Sequence, residues 1–141
     1  MNFDNIQNTT DNKIAGSIRL MMAIMFLMAG PMKLVVPMLG EAWSGQLIAA
    51  DLPFYTLTKW SVPFIETALG IVLAMGLYTR LAVIVVTGIM TVAAYVHIVV
   101  NDPSLFPLQP NEPIIPIVAI AMSFYLLWKG AGAWSRDLRN T

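Results

Sequence analysis

The chain has 141 residues, of which 57% are hydrophobic and only 11% are charged, and its eight acidic and eight basic residues cancel. Sixteen charged residues are too few to cover the surface of a soluble domain of this size. The composition therefore favours a lipid-facing surface. The zero net charge excludes an electrostatic footprint for nucleic acid. Because the chain has no cysteine and one histidine, His97, it cannot itself hold an iron–sulfur cluster or a haem between two histidines.

Four apolar segments follow one another and predict an all-α fold, an integral membrane bundle of four transmembrane helices. We place these helices at about residues 14–37, 60–78, 81–100 and 113–128, close to the roughly 20 residues that cross a bilayer. The first is long enough only if Arg19 and Lys33 reach toward the two interfaces. Residues 1–13 then form a polar N-terminal tail, residues 14–134 the transmembrane domain and residues 135–141 a C-terminal tail.

The basic residues predict that both ends of the chain lie in the cytoplasm (N-in/C-in). In this orientation six basic residues lie inside, namely Lys13, Arg19, Arg80, Lys129, Arg136 and Arg139. Only Lys33 and Lys59 lie outside, so the positive-inside rule is satisfied. Two outward loops follow: residues 38–59, with a short interfacial helix over 41–50, and residues 101–112, a proline-rich irregular cap.

Three ionisable residues lie within these apolar segments: Lys33, Glu66 and His97. Such side chains cost several kcal/mol in a bilayer unless they are paired or hydrated, so they are candidates for a functional site. Counted from the predicted helix ends, each lies within roughly 5–10 Å of the outer boundary. We therefore predict an outward-facing polar pocket, with Glu66 as proton acceptor, Lys33 as its counter-charge and His97 as a titrating donor. The alternative is a structural ion pair beside an interfacial histidine.

A stripe of methionines runs along the first segment. It consists of Met21, Met25, Met28 and Met32. Thioethers bind Cu(I), but this spacing is also what a packed helix face shows. We expect a packing face and no metal site.

Several short motifs, in order, resemble the DoxX family of small bacterial membrane proteins. They are Arg19, residues 30–33 (Gly-Pro-Met-Lys), 52–53 (Leu-Pro), 66–70 (Glu-Thr-Ala-Leu-Gly), 76–80 (Gly-Leu-Tyr-Thr-Arg), His97 and 130–137 (Gly-Ala-Gly-Ala-Trp-Ser-Arg-Asp). The resemblance implies a multi-pass four-helix bundle in the bacterial inner (cytoplasmic) membrane. It also implies a link to redox chemistry, since one relative is the membrane subunit of a thiosulfate:quinone oxidoreductase.

Three functions compete at this stage. The first is a quinone-linked redox subunit or accessory, in which Glu66, His97 and Lys33 exchange protons and His97, Asn101 and Trp60 bind the quinone. Electrons would then come from a protein partner or directly from a bound substrate. The second is a non-catalytic membrane anchor or scaffold in a larger complex or homo-oligomer. The third is a small-molecule or ion transporter, for which the chain is short and lacks an inverted repeat.

Overall fold

The computed structural model describes residues 6–141, and within them every regular element is helical, which confirms the all-α prediction. Its helices are α1 (Lys13–Val35), α2 (Pro37–Ala49), α3 (Tyr55–Met75), α4 (Thr79–Val99), α5 (Ile114–Lys129) and α6 (Arg136–Arg139). A 3₁₀ turn covers Pro103–Leu105. We call the end of the bundle that holds α2 and residues 100–113 the outer end, after the predicted orientation. The opposite end, which holds residues 76–79, is the inner end.

Helices α1, α3 and α4 are each long and apolar enough to cross a membrane. Helix α5 is also apolar but has 16 residues, about 24 Å, which is somewhat less than a typical hydrocarbon core. It ends at Gly130, whose φ of +82° is accessible to glycine, and an irregular segment continues to Trp134. The four predicted helices are therefore present, the fourth as the shortest.

Two predicted boundaries were wrong at the outer end. Helix α3 begins at Tyr55, five residues before the predicted start, and the interfacial helix begins at Pro37 rather than Glu41. This part of α3 carries the polar residues Thr56, Thr58 and Lys59. They are compatible with a helix because the outer turns of a transmembrane helix lie in the polar headgroup region.

The most extensive helix contact is between α1 and α3. At Gly30 an added Cβ would lie 2.5 Å from the carbonyl oxygen of Pro63 and 2.5 Å from Thr67 Oγ1, so only glycine lets the two backbones approach this closely. Helix α4 packs mainly on α5. All four long helices contribute to one core, with Met22 from α1, Leu73 from α3, Val86 from α4 and Leu126 from α5. The bundle thus consists of two helix pairs around one core.

The methionine stripe is only in part the packing face that we predicted, since Met25 packs against the core but two of its neighbours do not. Met21 and Met28 are 52% and 55% exposed, whereas Met22, one residue along, is fully buried in the core. Because lipid and protein interior are equally apolar, the hydrophobic pattern of a transmembrane helix does not distinguish its lipid-facing side from its packed side.

The orientation leads to a direct prediction. A cytoplasmic reporter fused after Thr141 should be active, and a periplasmic reporter should be active when fused near Asp102, because most of the basic residues lie toward the inner end. Paired alkaline phosphatase and fluorescent-protein fusions at both positions would measure this. A periplasmic C-terminus would reverse the orientation and with it the meaning of outer and inner.

Candidate functional site: an outer cleft beside a buried ion pair

A buried ion pair joins α1 to α3. The Nζ of Lys33 lies 2.7 Å from both carboxylate oxygens of Glu66, and the side chains are 21% and 3% exposed. The same ammonium lies 4.5 Å from the centroid of the Trp43 ring on α2. Lys33 therefore links three helices, and its charge is balanced by Glu66 and by the electron-rich face of an indole.

Lys33 also lines an open cleft between α2 and the outer ends of α1 and α3. We call it the outer cleft; its volume is about 480 Å³. Its walls include the cations Lys33 and Lys59, the indoles Trp43 and Trp60, the carboxylate Glu41 and the apolar Ile48. The wall is tied together by a 3.2 Å hydrogen bond from Trp43 Nε1 to the Lys59 carbonyl oxygen and by a hydrogen bond between Ser44 and Tyr55.

The structure brings Lys33 and Trp60 to one cleft, with Glu66 buried behind Lys33 and paired with it, and places the other two predicted site residues elsewhere. The His97 ring packs on Phe106 with centroids 4.3 Å apart, and its Nδ1–H donates to the Asn111 carbonyl oxygen at 2.9 Å. Asn101 is exposed just beyond α4. Neither residue lines the outer cleft. His97 instead fastens the second outer loop to the end of α4.

The second outer loop is ordered by local contacts. Asp102 accepts hydrogen bonds from Ser104, at 2.6 Å from the hydroxyl and 3.0 Å from the backbone N–H. These two bonds hold the pKa of the Asp102 carboxyl below its ordinary value, and the bond from the Ser104 hydroxyl has the larger effect. Further along, Gln46 of α2 donates to the Leu105 carbonyl oxygen. The loop is therefore attached to α2 as well as to His97.

The three ionisable residues are not equally far from the outer ends of their helices. His97 and Lys33 each lie two residues from the last residue of their helices, about 3 Å. Glu66 lies eleven residues after Tyr55, the first residue of α3, or about 16 Å. The difference arises because α3 begins earlier than predicted. The long side chain of Lys33 reaches Glu66, whereas the His97 ring contacts the second outer loop.

A second polar centre, which has no side-chain signal in the sequence, surrounds Arg19. We predicted an interfacial position for Arg19, but its side chain is fully buried. Its guanidinium donates to five carbonyl oxygens, those of Leu73, Ala74, Ala131, Ala133 and Trp134. We call this group the arginine cage. It satisfies carbonyl groups that the end of α3 and the irregular segment after α5 leave without helical partners.

Asp137 of α6 binds the turn between α3 and α4 at the inner end. Its two carboxylate oxygens accept from the backbone N–H groups of Tyr78 at 2.8 Å and Thr79 at 2.9 Å, at the start of α4 where N–H groups lack helical partners. Asp137 is 1% exposed, so residues that we predicted as a tail are packed against the bundle. An arginine and an aspartate at opposite ends of the chain gave no spacing signal in the sequence.

Comparison with curated proteins and with solved structures gave no significant match for this chain. The DoxX family model, in contrast, matches residues 15–99. This segment is more than half of the chain and covers nearly all of α1 and the whole of α2, α3 and α4. It includes the three helices that are long enough to cross a membrane. The chain is therefore a membrane protein and belongs to the DoxX family.

Proposed function

We propose that this protein is a quinone-binding subunit of the bacterial inner membrane, with the head group in the outer cleft. The observation that supports this most directly is a buried Lys33–Glu66 pair whose cation opens onto a cleft walled by indoles. A purely structural ion pair would be expected to be closed off from ligands. This one leaves its ammonium-bearing side chain 21% exposed.

The residues of the outer cleft fit a quinone head group. A quinone presents two carbonyl acceptors on a flat ring, and the cleft offers the ammonium of Lys33 as donor and Trp43 and Trp60 as flat apolar surfaces. Leu34 and Ile48 line the same cleft and are exposed toward the region where an isoprenoid tail would lie in lipid. A volume of about 480 Å³ is within the range of small-molecule pockets.

In this proposal Lys33 donates a hydrogen bond to a head-group oxygen while Glu66 holds the ammonium in place. Two N–H groups of Lys33 are directed at Glu66, so one remains for a ligand in place of the contact with Trp43. Glu66 is then the proton acceptor next to the ligand. A bound quinone would take up two electrons and two protons. The electrons would come from a redox partner protein, since the chain has no cysteine and one histidine, and the protons from water in the open cleft. Glu66 would accept a proton in the reverse direction, when a bound quinol is oxidised.

Quenching of tryptophan fluorescence tests this proposal. In a Trp128→Phe/Trp134→Phe background the remaining tryptophans, Trp43 and Trp60, both line the outer cleft. A soluble short-chain benzoquinone should quench this fluorescence saturably. Replacing the pair by Lys33→Met and Glu66→Gln together should weaken binding on the order of tenfold or more, because a charge-assisted hydrogen bond is lost.

His97→Leu is the matched control. It removes the one imidazole but no residue of the cleft, so quinone binding should persist if the head group lies in the cleft. Loss of quenching in His97→Leu, with quenching retained in the Lys33→Met/Glu66→Gln protein, would instead place the head group at His97 as the sequence analysis expected. Quenching that never saturates in the parent protein would favour the anchor function.

A further inference from the structure

The inner end of the bundle carries a second cleft, which is independent of the quinone proposal. It has a volume of about 320 Å³ and is lined by Leu77, Arg136, Arg139 and Asn140. Arg136 and Arg139 are both exposed and lie three positions apart on α6, so they project from neighbouring positions of one helical turn. The lining thus combines two guanidinium groups, one amide and one aliphatic side chain.

The positive charge of this cleft is not neutralised by the nearest acid. Asp137 lies between the two arginines in sequence, but its carboxylate is buried and accepts from the backbone N–H groups of Tyr78 and Thr79. Within residues 6–141 no ion pair involves Arg136 or Arg139, and no carboxylate lines the cleft. The hydrogen bonds that Asp137 accepts also hold α6 in place. A further bond, from the Asp137 N–H to the Gly76 carbonyl oxygen at 2.9 Å, does the same.

The position of the cleft indicates which kind of anion it would bind. Leu77 follows α3 by two residues, so the cleft lies where a membrane-spanning helix leaves the bilayer. The last two turns of α3, just before Leu77, expose Ile71 and Met75, which suits an acyl chain. Trp134, near the same end, is 63% exposed, as expected for an interfacial aromatic residue. A free phosphate would use the arginines but gain nothing from this apolar surface.

We propose that the cleft formed by Leu77, Arg136, Arg139 and Asn140 binds the phosphodiester head group of an anionic phospholipid. The two guanidiniums hold the phosphate oxygens, since paired N–H donors match that geometry. The acyl chains lie along the exposed apolar side of α3. The lipid thereby fastens α6, and through Asp137 the turn between α3 and α4, to the membrane surface.

The test is a thermal titration of the purified protein in neutral detergent. Phosphatidylglycerol should raise the Tm, and phosphatidylcholine with the same acyl chains should not, because binding to the folded state stabilises it. In Arg136→Gln/Arg139→Gln the apparent Kd for phosphatidylglycerol should rise on the order of tenfold or more. The Tm without lipid should stay unchanged, since both side chains are exposed.

The matched control is Lys13→Gln/Lys129→Gln, which removes two cations from the same end without touching the cleft. It should keep the response to phosphatidylglycerol. An equal loss in both double variants would mean diffuse surface charge and would overturn the proposal. A Tm rise with inorganic phosphate as large as that with phosphatidylglycerol would also overturn it, in favour of a free anion. If the arginine variant is itself unstable, counting lipid adducts by native mass spectrometry in the single variant Arg139→Gln should still show the loss.

Discussion

Arg19→Leu is expected to destabilise the protein by at least about 3 kcal/mol, because it leaves buried carbonyl groups of the arginine cage, such as those of Ala131 and Ala133, without their arginine donor at a site closed to water. The cage joins α1, the end of α3 and the segment after α5, so its loss should loosen all three together. Thermal unfolding in detergent, followed by circular dichroism, would measure the change in Tm.

Two further variants show whether hydrogen bonding or charge accounts for the effect. Arg19→Lys keeps the charge but has one nitrogen instead of three, so it cannot reach five carbonyl oxygens and should remain clearly destabilised. Lys13→Leu, on the same helix but exposed, should change stability by less than about 0.5 kcal/mol. If Arg19→Leu were as stable as the parent protein, the cage could not be what holds the inner end together.

The arginine cage also shows what could not be predicted from the sequence. Helix number and order followed from the apolar segments, because a span of about 20 residues is a strong local signal. The interfacial expectation for Arg19 failed because a single basic residue near a helix end normally lies in the headgroup region. Its true partners are backbone carbonyls, which every residue carries, so no side-chain pattern could have marked them.

The candidate site was predicted in part for a related reason. The pairing of Lys33 with Glu66 was expected because opposite charges inside apolar segments must find each other. The inclusion of His97 rested on counting from helix ends, and an error of five residues at the start of α3 shifts Glu66 by about 8 Å. The cleft itself depends on α2, whose packing against α1 and α3 has no periodic signal in the sequence.

The Lys33–Glu66 pair should behave as a strongly coupled unit in a double-mutant cycle. Glu66→Gln leaves Lys33 without its carboxylate, and Lys33→Met leaves Glu66, 3% exposed, as an unpaired buried charge. Each single change should cost about 3–5 kcal/mol, whereas the double variant should recover most of that loss. Glu41→Gln is the control, since it removes an exposed carboxylate of the same cleft and should cost less than about 0.5 kcal/mol.

The double-mutant cycle distinguishes a structural pair from a binding site when stability and quinone binding are both measured on the parent, the two single variants and the double variant. A pair that is only structural should give a double variant that is as stable as the parent and binds quinone equally well. A pair that also forms the binding site should give a double variant that is stable but has lost binding, because the two neutral replacement side chains would restore the packing without restoring the ammonium donor. Single variants with additive costs and no recovery would show that the two side chains, although 2.7 Å apart, are not energetically coupled.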